Sequence, residues 1–266
     1  MRFFEETLGR EIEVPDRPER IVSLAPSITD TLFRLGLDDR VVGISLYCNR
    51  PKDRLEGIPR VGAYLNVIWD RLEELQPDLV LTTTGAQRRI TEELMARGFP
   101  VAPVPVPVSI FGVLDGVRKV GLLTGAEREA ERLNLSLLGT LNSLKGSLPS
   151  LRTYYEIDLG GPITVGAASY ITDALHLLGL ENVYASQRRP YVQPDDALTV
   201  SLKPELIIYE VKPGRRYTPS DVEARLRDRF GDVGIVVLPS DSLAHYGPSL
   251  VDEVLPDAAR RVSAVL

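Results

Sequence analysis

Two segments of the sequence recur in the same order, and this repetition constrains the fold more than any other feature. Residues 28–37 match residues 171–180 at seven of ten positions. Residues 75–81 are similar to residues 202–208, with Gln-Pro-Asp in the first copy and Lys-Pro-Glu in the second. One match could arise from the local chemistry of helix ends and strand starts. Two matches in the same order predict a duplicated topology, and two similar halves favour a ligand cleft between them.

Apolar periodicity predicts alternating strands and helices in both halves of the chain. Short apolar runs predict strands at 21–24, 41–44, 79–81, 153–157, 206–208 and 235–238, and an extended run at 101–108. Helical patterns cover 27–35, 67–75, 87–97, 170–178, 219–229 and the residues from 249 onwards. Ser27 is the predicted N-cap of the first helix, with Asp30 at its third position and Gly36 at its end. This alternation is typical of a largely parallel sheet with helices on both faces.

Residues 111–148 interrupt the alternation, because they carry a helical pattern and no strand pattern. The leucines of this pattern are Leu133, Leu137, Leu138, Leu141 and Leu144. The stretch lacks the Gly/Ser-rich or Pro-rich composition of a flexible tether. We therefore expect an N-terminal α/β lobe at 1–110, one long connecting helix at 111–148 and a C-terminal α/β lobe at 149–266. A continuous helix between the lobes predicts only slight closure on a ligand.

Charge and composition exclude several classes of protein. The chain has 31 basic and 37 acidic residues, and the resulting net charge of −6 argues against nucleic acid as a partner. No run of about 18 apolar residues occurs, so no membrane-spanning helix is predicted. Cys48 is the only cysteine, which excludes an internal disulfide and cysteine-based metal clusters. The N-terminus lacks a secretory signal pattern, so we expect a cytoplasmic chain or one whose export signal was removed before residue 1.

Catalytic motifs are missing from the sequence. It contains no nucleophile elbow, phosphate loop, dinucleotide-binding turn or zinc helix, so no catalytic residue and no metal ligand are predicted. Of the two histidines, His176 falls inside a helical pattern and is interpreted as a structural residue. His245 lies in a connection after a buried strand, where α/β proteins present ligand-binding groups. An ordinary exposed loop histidine is the alternative for His245.

Tyrosine is the dominant aromatic residue, with ten copies against six phenylalanines and one tryptophan. A tyrosine offers a flat apolar face and a hydroxyl, which suits a large amphipathic ligand. Four tyrosines fall in predicted connections, namely Tyr47, Tyr64, Tyr191 and Tyr246. For any one of these residues half-exposed packing is the alternative, whereas their occurrence in both halves favours a binding role for the group. The tyrosines of predicted strands are interpreted as core or face residues: Tyr154, Tyr155 and Tyr209.

Several segments of the sequence resemble one protein family over nearly the whole chain. The segments are 15–44, 47–51, 61–64, 75–80 and 170–180. They are similar to the helical-backbone (class III) periplasmic substrate-binding proteins of ABC importers, and within that family to the cobalamin-binding branch. The resemblance implies two Rossmann-like lobes joined by a backbone helix, with a ligand held in the cleft until a membrane permease and its ATPase take it up. It also implies a monomer in the periplasm or on the extracytoplasmic surface.

The resemblance assigns ligand-binding roles to five residues. Tyr47, Tyr64 and Tyr191 fall where the cobalamin branch has cleft aromatics, while Asp241 and His245 are expected to supply polar contacts from the second lobe. The sequence departs from the branch at Thr83, where a tryptophan is expected, and at His245, where an arginine is expected. The implied cargo is a cobalamin-like corrinoid or another metal chelate, with no resident cofactor. The alternatives are a haem or ferric-siderophore binding protein of the same family and a chelatase-type enzyme.

The same resemblance implies acidic docking residues for the permease, one on each lobe. Asp70 matches the first of these positions, and Ala197 occupies the second. Asp195 and Asp196 lie immediately before Ala197, which is also the residue 127 positions after Asp70. Reversing the charge of Asp70 together with Asp196 is predicted to abolish permease binding and to leave ligand affinity intact. The alternative is that these residues are solvated aspartates at helix starts.

Overall fold

The computed structural model describes residues 1–211 and 218–266, which form two compact units. Unit 1 consists of Met1–Val106 and Val113–Leu137. Unit 2 consists of Pro107–Gly112 and Leu138–Leu266. Both units contain the alternation of strands and helices that the sequence predicts.

Parallel strands form the main sheet of unit 1. The strands of this unit are β1 (Arg2–Glu5), β2 (Arg10–Glu13), β3 (Ile21–Ser23), β4 (Val41–Ile44), β5 (Gly62–Ala63), β6 (Asn66–Val67), β7 (Leu79–Thr83) and β8 (Val101–Val104). The order in the sheet is β4-β3-β7-β8, with Val22 opposite Val80 and Val80 opposite Val101. β1 pairs with β2, and β5 with β6, as antiparallel hairpins. Because β3 and β7 are parallel, the connections that follow them begin at the same edge of the sheet.

Helices α1 (Pro26–Arg34), α2 (Trp69–Glu74) and α3 (Arg88–Ala96) follow strands or turns of this unit. Short 3-10 turns occupy Asp38–Arg40, Lys52–Arg54 and Gly85–Gln87. Apolar residues of α2 and α3 pack with those of the sheet, so the helices and the sheet share one core. Its members include Val22, Leu24, Leu72, Val80, Ile90 and Leu94.

The start of α1 differs from the sequence prediction. Ala25 is the N-cap, Pro26 is at the helix start, and no side chain caps the first turn, so the prediction of Ser27 as N-cap was wrong. A proline is well suited to the first helical position because its φ is already helical and it has no N–H to satisfy. Gly36 follows the helix with a φ of 72°, as predicted for the residue that ends it.

The connecting stretch contains two helices where the sequence predicts one. They are α4 (Phe111–Thr124) and α5 (Glu127–Leu144). Gly125 separates them with a φ of 69°, a backbone conformation that favours glycine, and a Cβ added there would lie 3.0 Å from the carbonyl oxygen of Asp16. The boundary between the units falls inside α5, after Leu137.

Unit 2 is built on a mixed sheet. Its strands are β9 (Arg152–Asp158), β10 (Pro162–Val165), β11 (Glu181–Asn182), β12 (Tyr191–Val192), β13 (Leu206–Glu210) and β14 (Gly234–Leu238). The order is β12-β10-β9-β13-β14, and β11 pairs with the start of β9. β9, β13 and β14 are parallel, with Ile207 opposite both Tyr154 and Ile235, whereas β10 and β12 are antiparallel additions.

The helices of unit 2 are α6 (Tyr170–Leu178), α7 (Asp196–Ser201), α8 (Pro219–Phe230) and α9 (Leu255–Val265), the last preceded by a π-helical turn at Leu250–Val254. Gly179 ends α6 with a φ of 107°, as Gly36 ends α1, so the repeated segments 28–37 and 171–180 adopt the same helix-and-glycine structure. Tyr154, Tyr155 and Tyr209 are buried in the core, as predicted for strand tyrosines. None of the helices in the described residues has both the length and the apolar character needed to cross a membrane.

Candidate functional site

Two residues at the end of β7 and in the turn that follows it, Thr83 and Gln87, hold Tyr64 at its hydroxyl and at its backbone carbonyl oxygen. Gln87 is fully buried, and its side-chain amide donates to the carbonyl oxygens of Tyr64 (2.8 Å) and Leu24 (2.9 Å). The side-chain oxygen of Gln87 accepts from the backbone N–H of Thr83 (2.7 Å) and from its hydroxyl (2.9 Å). Because the Thr83 hydroxyl donates to Gln87, the Tyr64 hydroxyl, 2.8 Å away, donates to Thr83. The predicted ligand residue Tyr64 is therefore held at its backbone and at its hydroxyl, and Thr83 serves as its partner.

Tyr47 lies in the connection after β4, and 55% of it is exposed. Its neighbour Leu46 is 56% exposed, and the N–H of Leu46 donates to the carbonyl oxygen of Gly62 (2.7 Å). The Arg60 guanidinium donates to the carbonyl oxygens of Ser45 (2.9 Å) and Cys48 (2.7 Å), which fixes the turn that carries Tyr47. The thiol of Cys48 is buried.

Asp241 and His245 come together in the connection that follows β14. The Nδ1 atom of His245 lies 3.4 Å from a carboxylate oxygen of Asp241. The side chain of His245 is completely buried, which excludes the alternative of an ordinary exposed loop histidine, while the side chain of Asp241 is 17% exposed. Asp241 has a φ of 59°, which is uncommon for a residue with a side chain. The structure thus presents the carboxylate partly to solvent and places the imidazole behind it.

Tyr191 begins the edge strand β12, and 48% of it is exposed. The nearby Tyr170 is buried in α6, and its hydroxyl donates to the carbonyl oxygen of Leu243 (2.9 Å). Burial raises the pKa of Tyr170 well above its usual value, and the phenol of Tyr191 adds to this effect. Tyr246 packs its ring against that of Tyr170, with centroids 5.8 Å apart. Tyr191 therefore belongs to the same neighbourhood of unit 2 as the connection after β14.

Glu210 ends β13, and the sequence does not predict a functional role for it. Its side chain is fully buried, and one oxygen accepts from the N–H of Ser242 (2.9 Å). The other oxygen accepts from the N–H of Ala244 (3.0 Å) and from the hydroxyl of Tyr155 (2.9 Å). Burial raises the pKa of Glu210 to about 7. The signal that could have revealed this residue is a glutamate closing an otherwise apolar strand.

The predicted docking residue of unit 1 is exposed at the start of α2. Asp70 is the second residue of this helix, and no hydrogen bond or ion pair reaches its side chain from the described residues. Trp69 comes immediately before it, with the Arg97 guanidinium 4.0 Å from the centroid of the indole. This arrangement leaves the carboxylate of Asp70 available to a partner.

The predicted docking residues of unit 2 are already engaged at the start of α7. Asp195 is the N-cap, and its side chain accepts from the N–H of Leu198 (2.7 Å). Asp196 accepts two hydrogen bonds from Arg229, at 3.1 and 2.7 Å, and the guanidinium holds the pKa of this carboxyl below its usual value. Arg229 also donates two hydrogen bonds of 2.8 Å to the buried Glu156. Both aspartates therefore have structural roles within unit 2.

One cavity lies away from the predicted ligand residues. It has a volume of about 470 Å³ in unit 2, and its lining includes Thr172, Asp173, His176, Glu181 and Asn182. His176 belongs to α6, as predicted, and its side chain is exposed. Within residues 1–211 and 218–266, no group of three or more His, Cys, Asp or Glu side chains is arranged to hold a metal ion.

Comparison with known proteins identifies the family. Residues 21–225 match the family model described as periplasmic binding protein. The ABC transporter substrate-binding lipoprotein YvrC of Bacillus subtilis (strain 168) is 25% identical over 269 aligned positions, which cover 94% of this chain and 82% of that protein. A vitamin B12-binding protein of Vibrio parahaemolyticus is 25% identical over 197 positions, which cover 71% of this chain and 70% of the relative.

The fold agrees with this family. The structure of the periplasmic heme-binding protein RhuT from Roseiflexus sp. RS-1 superposes with a TM-score of 0.78 and 19% identity, covering 93% of this chain and 98% of that one. At this identity the likeness concerns the fold alone, and the match to the family model carries the assignment. The chain therefore belongs to the periplasmic binding protein family, whose members bind substrates for ABC transporters and are not enzymes.

Proposed function

We propose that this chain captures a cobalamin-like corrinoid and delivers it unchanged to a membrane permease driven by an ATPase. The observation that carries this proposal is how the three predicted tyrosines are held and exposed. Tyr64 is anchored by Thr83 and Gln87, while Tyr47 and Tyr191 are about half exposed. A ring that is already positioned, as that of Tyr64 is, loses little conformational freedom on binding, and exposed rings such as those of Tyr47 and Tyr191 offer apolar surface to a flat macrocycle.

Asp241 supplies a polar contact in this proposal, and His245 acts through Asp241. The buried imidazole lies 3.4 Å from the carboxylate that it orients, and only the carboxylate is partly exposed. A carboxylate acceptor suits the amide and hydroxyl groups around the rim of a corrinoid. The name of the Vibrio relative as a vitamin B12-binding protein is consistent with such a ligand.

The proposed setting is extracytoplasmic, with the chain acting as a monomer that meets the permease transiently. Support comes from the lipoprotein name of the Bacillus relative and from the family description as periplasmic. The exposed carboxylate of Asp70 supplies the unit 1 contact to the permease. Exposed charges suit a complex that must form and dissociate, because they steer association without a large buried surface.

The test is retention of a chelate by the purified protein. We would incubate it separately with cyanocobalamin, cobinamide, haemin and a ferric hydroxamate siderophore, remove free ligand, and record native mass spectra and visible absorbance. We expect one corrinoid per chain, recovered chemically unchanged. Retention of haemin or the siderophore alone would replace the corrinoid with that chelate, and a chemically altered product would overturn the receptor assignment.

Aromatic truncation tests the site itself. Tyr47→Ala, Tyr64→Ala and Tyr191→Ala should each weaken corrinoid binding, by about a hundredfold where the ring is fully desolvated in the complex. Phe4→Ala is the matched control, because this ring is 60% exposed on β1 and has no proposed contact with ligand. Isothermal titration calorimetry measures the affinities. Unchanged affinity in all three tyrosine variants would show that the ligand binds elsewhere.

A further inference from the structure

One buried carboxylate holds the connection after β14 from inside unit 2. Glu210 ends the neighbouring strand β13, and its two oxygens accept from the backbone N–H groups of Ser242 (2.9 Å) and Ala244 (3.0 Å). Ser242 and Ala244 alternate with Asp241, Leu243 and His245 in the segment 239–245. The carboxylate therefore fixes the backbone on both sides of Leu243 and next to both predicted polar ligand residues.

The backbone of this segment needs such support. Asp241 adopts a φ of 59°, a conformation that costs free energy for a residue with a side chain. Inside the segment, the Ser242 hydroxyl donates to the carbonyl oxygen of Pro239 (2.7 Å), and the N–H of His245 donates to the carbonyl oxygen of Ser242 (3.1 Å). From α6, the Tyr170 hydroxyl donates to the carbonyl oxygen of Leu243 (2.9 Å). Glu210 and Tyr170 thus tie the segment to the sheet and to a helix.

A carboxylate at this place is not required by the fold. Burial of an ionised carboxylate is costly, and the hydrogen-bond donors to Glu210 are two backbone N–H groups and a phenol, all uncharged. The residue 127 positions earlier, at the end of the corresponding strand β7, is the uncharged Thr83. A charged acceptor forms stronger hydrogen bonds to backbone N–H groups than a neutral one, so Glu210 suits a segment that must keep one shape.

We propose that Glu210 is a positioning residue for ligand binding, which holds the N–H groups of Ser242 and Ala244 and so sets Asp241 for contact with the ligand. This inference rests on the proposed function, because it takes Asp241 as a ligand contact. Glu210 itself touches no ligand.

The hold of Glu210 on the segment depends on its ionisation. The titratable groups around it are Tyr155 on β9, Tyr170 on α6, and Asp241 with its partner His245 on the segment itself. Burial raises the pKa of Glu210 to about 7, so it gains a proton as the pH falls through neutrality. A protonated carboxyl is a weaker acceptor, and we therefore expect ligand affinity to fall as the pH is lowered through about 7.

The test compares Glu210→Gln with wild type and with Glu205→Gln. Glu205 is the matched control because it lies just before the other end of β13 and also accepts from a backbone N–H, that of Arg152 (2.9 Å). Amide hydrogen exchange is measured at Ser242 and Ala244 without ligand, and affinity is measured with cyanocobalamin, or with the panel member that wild type retains. We expect E210Q to exchange at least about tenfold faster at both amides and to bind about tenfold more weakly, with E205Q unchanged.

The outcomes separate this inference from the proposed function. Unchanged exchange in E210Q, or faster exchange with unchanged affinity, overturns the positioning role. If wild type retains no member of the panel, the proposed function fails, while the exchange data still decide whether Glu210 holds the segment. If E210Q does not fold, the test uses wild type alone, and the amide proton chemical shifts of Ser242 and Ala244 are recorded as a function of pH. Both amide proton shifts should change with pH at the same midpoint, and ligand affinity should change with pH at that midpoint as well. Different midpoints for the two shifts, or for the shifts and the affinity, would overturn the proposal.

Discussion

Helices α2 and α7 stand at corresponding places in the two units, one turn before the central strands β7 and β13. The joint between helix and strand is the same in both. Gln76 and Lys203 have positive φ values of 44° and 50°, and each is followed by a proline and an acidic residue. The acidic residue accepts from backbone N–H groups in both units: Asp78 from Glu19 and Arg20, and Glu205 from Arg152. The second repeated segment therefore encodes one structural joint twice.

The first turns of the same two helices are built differently. In α2 the N-cap is Ile68, no side chain caps the helix, and Asp70 is exposed. In α7 the aspartates are used internally, one as N-cap and one in the ion pair with Arg229. The two units share the residues that shape the joint between helix and strand, but they use the aspartates at the helix starts differently. Similar topology thus gives no assurance of similar partner contacts, and four experiments probe this difference.

The largest effect is expected from Arg229→Met. This change leaves the buried carboxylate of Glu156 without its guanidinium partner, and loss of one member of a buried pair costs about 3–5 kcal/mol of free energy of unfolding. Arg152→Met is the control, since its pair with Glu205 is exposed and should contribute under about 1 kcal/mol. Urea denaturation measures both. Equal losses in the two variants would mean that the Arg229 network is no more than a surface feature.

The strand ends should differ in pH dependence, because Glu210 titrates and Thr83 does not. The pKa of Glu210 is raised from 4.5 to about 7 in the folded chain, so its stabilising contribution is complete below about 4.5 and is lost as the pH rises through 7. The stability of wild type relative to Glu210→Gln should therefore decrease across this window, by up to about 3 kcal/mol. The difference in free energy of unfolding between wild type and Thr83→Val should be independent of pH. Urea denaturation at a series of pH values checks both curves.

Charge reversal at Asp70 should weaken binding to the cognate permease by about a hundredfold, because one partner of a charge pair becomes repulsive. Asp196→Asn should change this affinity little, since its carboxylate is already bound by Arg229. Asp115→Lys makes the same charge change as Asp70→Lys at an exposed position of α4 and serves as the control. Binding to permease in nanodiscs at several salt concentrations measures the effect. A loss with Asp196→Asn as large as that with Asp70→Lys would remove the proposed difference between the units.

The smallest effect concerns the helix starts themselves. Asp195→Ala removes an N-cap and should lower the free energy of unfolding by about 1 kcal/mol. Asp70→Ala removes only a favourable interaction with the helix dipole, which is worth about 0.3–1 kcal/mol at an exposed site. Thermal denaturation of the two variants side by side measures the contrast. A larger loss at Asp70 would indicate a structural role for this residue.

Much of the fold could be predicted because strands, helices and glycine ends depend on nearby residues. The predicted strands and helices are present in both units, and Gly36 and Gly179 end helices. The errors arose where one residue outweighed a pattern. Pro26 moved the start of α1 ahead of Ser27, and Gly125 divided the stretch 111–148, which was predicted to be a single helix.

Less of the site could be predicted, because its supporting contacts join distant parts of the chain. Tyr64 was singled out, but Gln87, which holds its backbone, is 23 residues away in sequence and also binds Leu24 across 63 residues. Glu210 reaches Ser242 and Ala244 across 32 and 34 residues, and Arg229 reaches Glu156 across 73. No local pattern indicates which of many polar residues will meet in this way. The burial of His245 could not be predicted for the same reason.

The single tryptophan of the sequence begins α2 directly before Asp70 and packs against Arg97. Its fluorescence therefore reports on one turn of one unit without any label. A permease that contacts Asp70 would change the polarity around the indole and shift the emission wavelength. A bound corrinoid or haem, which absorbs near the wavelengths of tryptophan emission, would instead quench the intensity by energy transfer. The native chain thus carries a reporter that distinguishes loading from docking in a single spectrum.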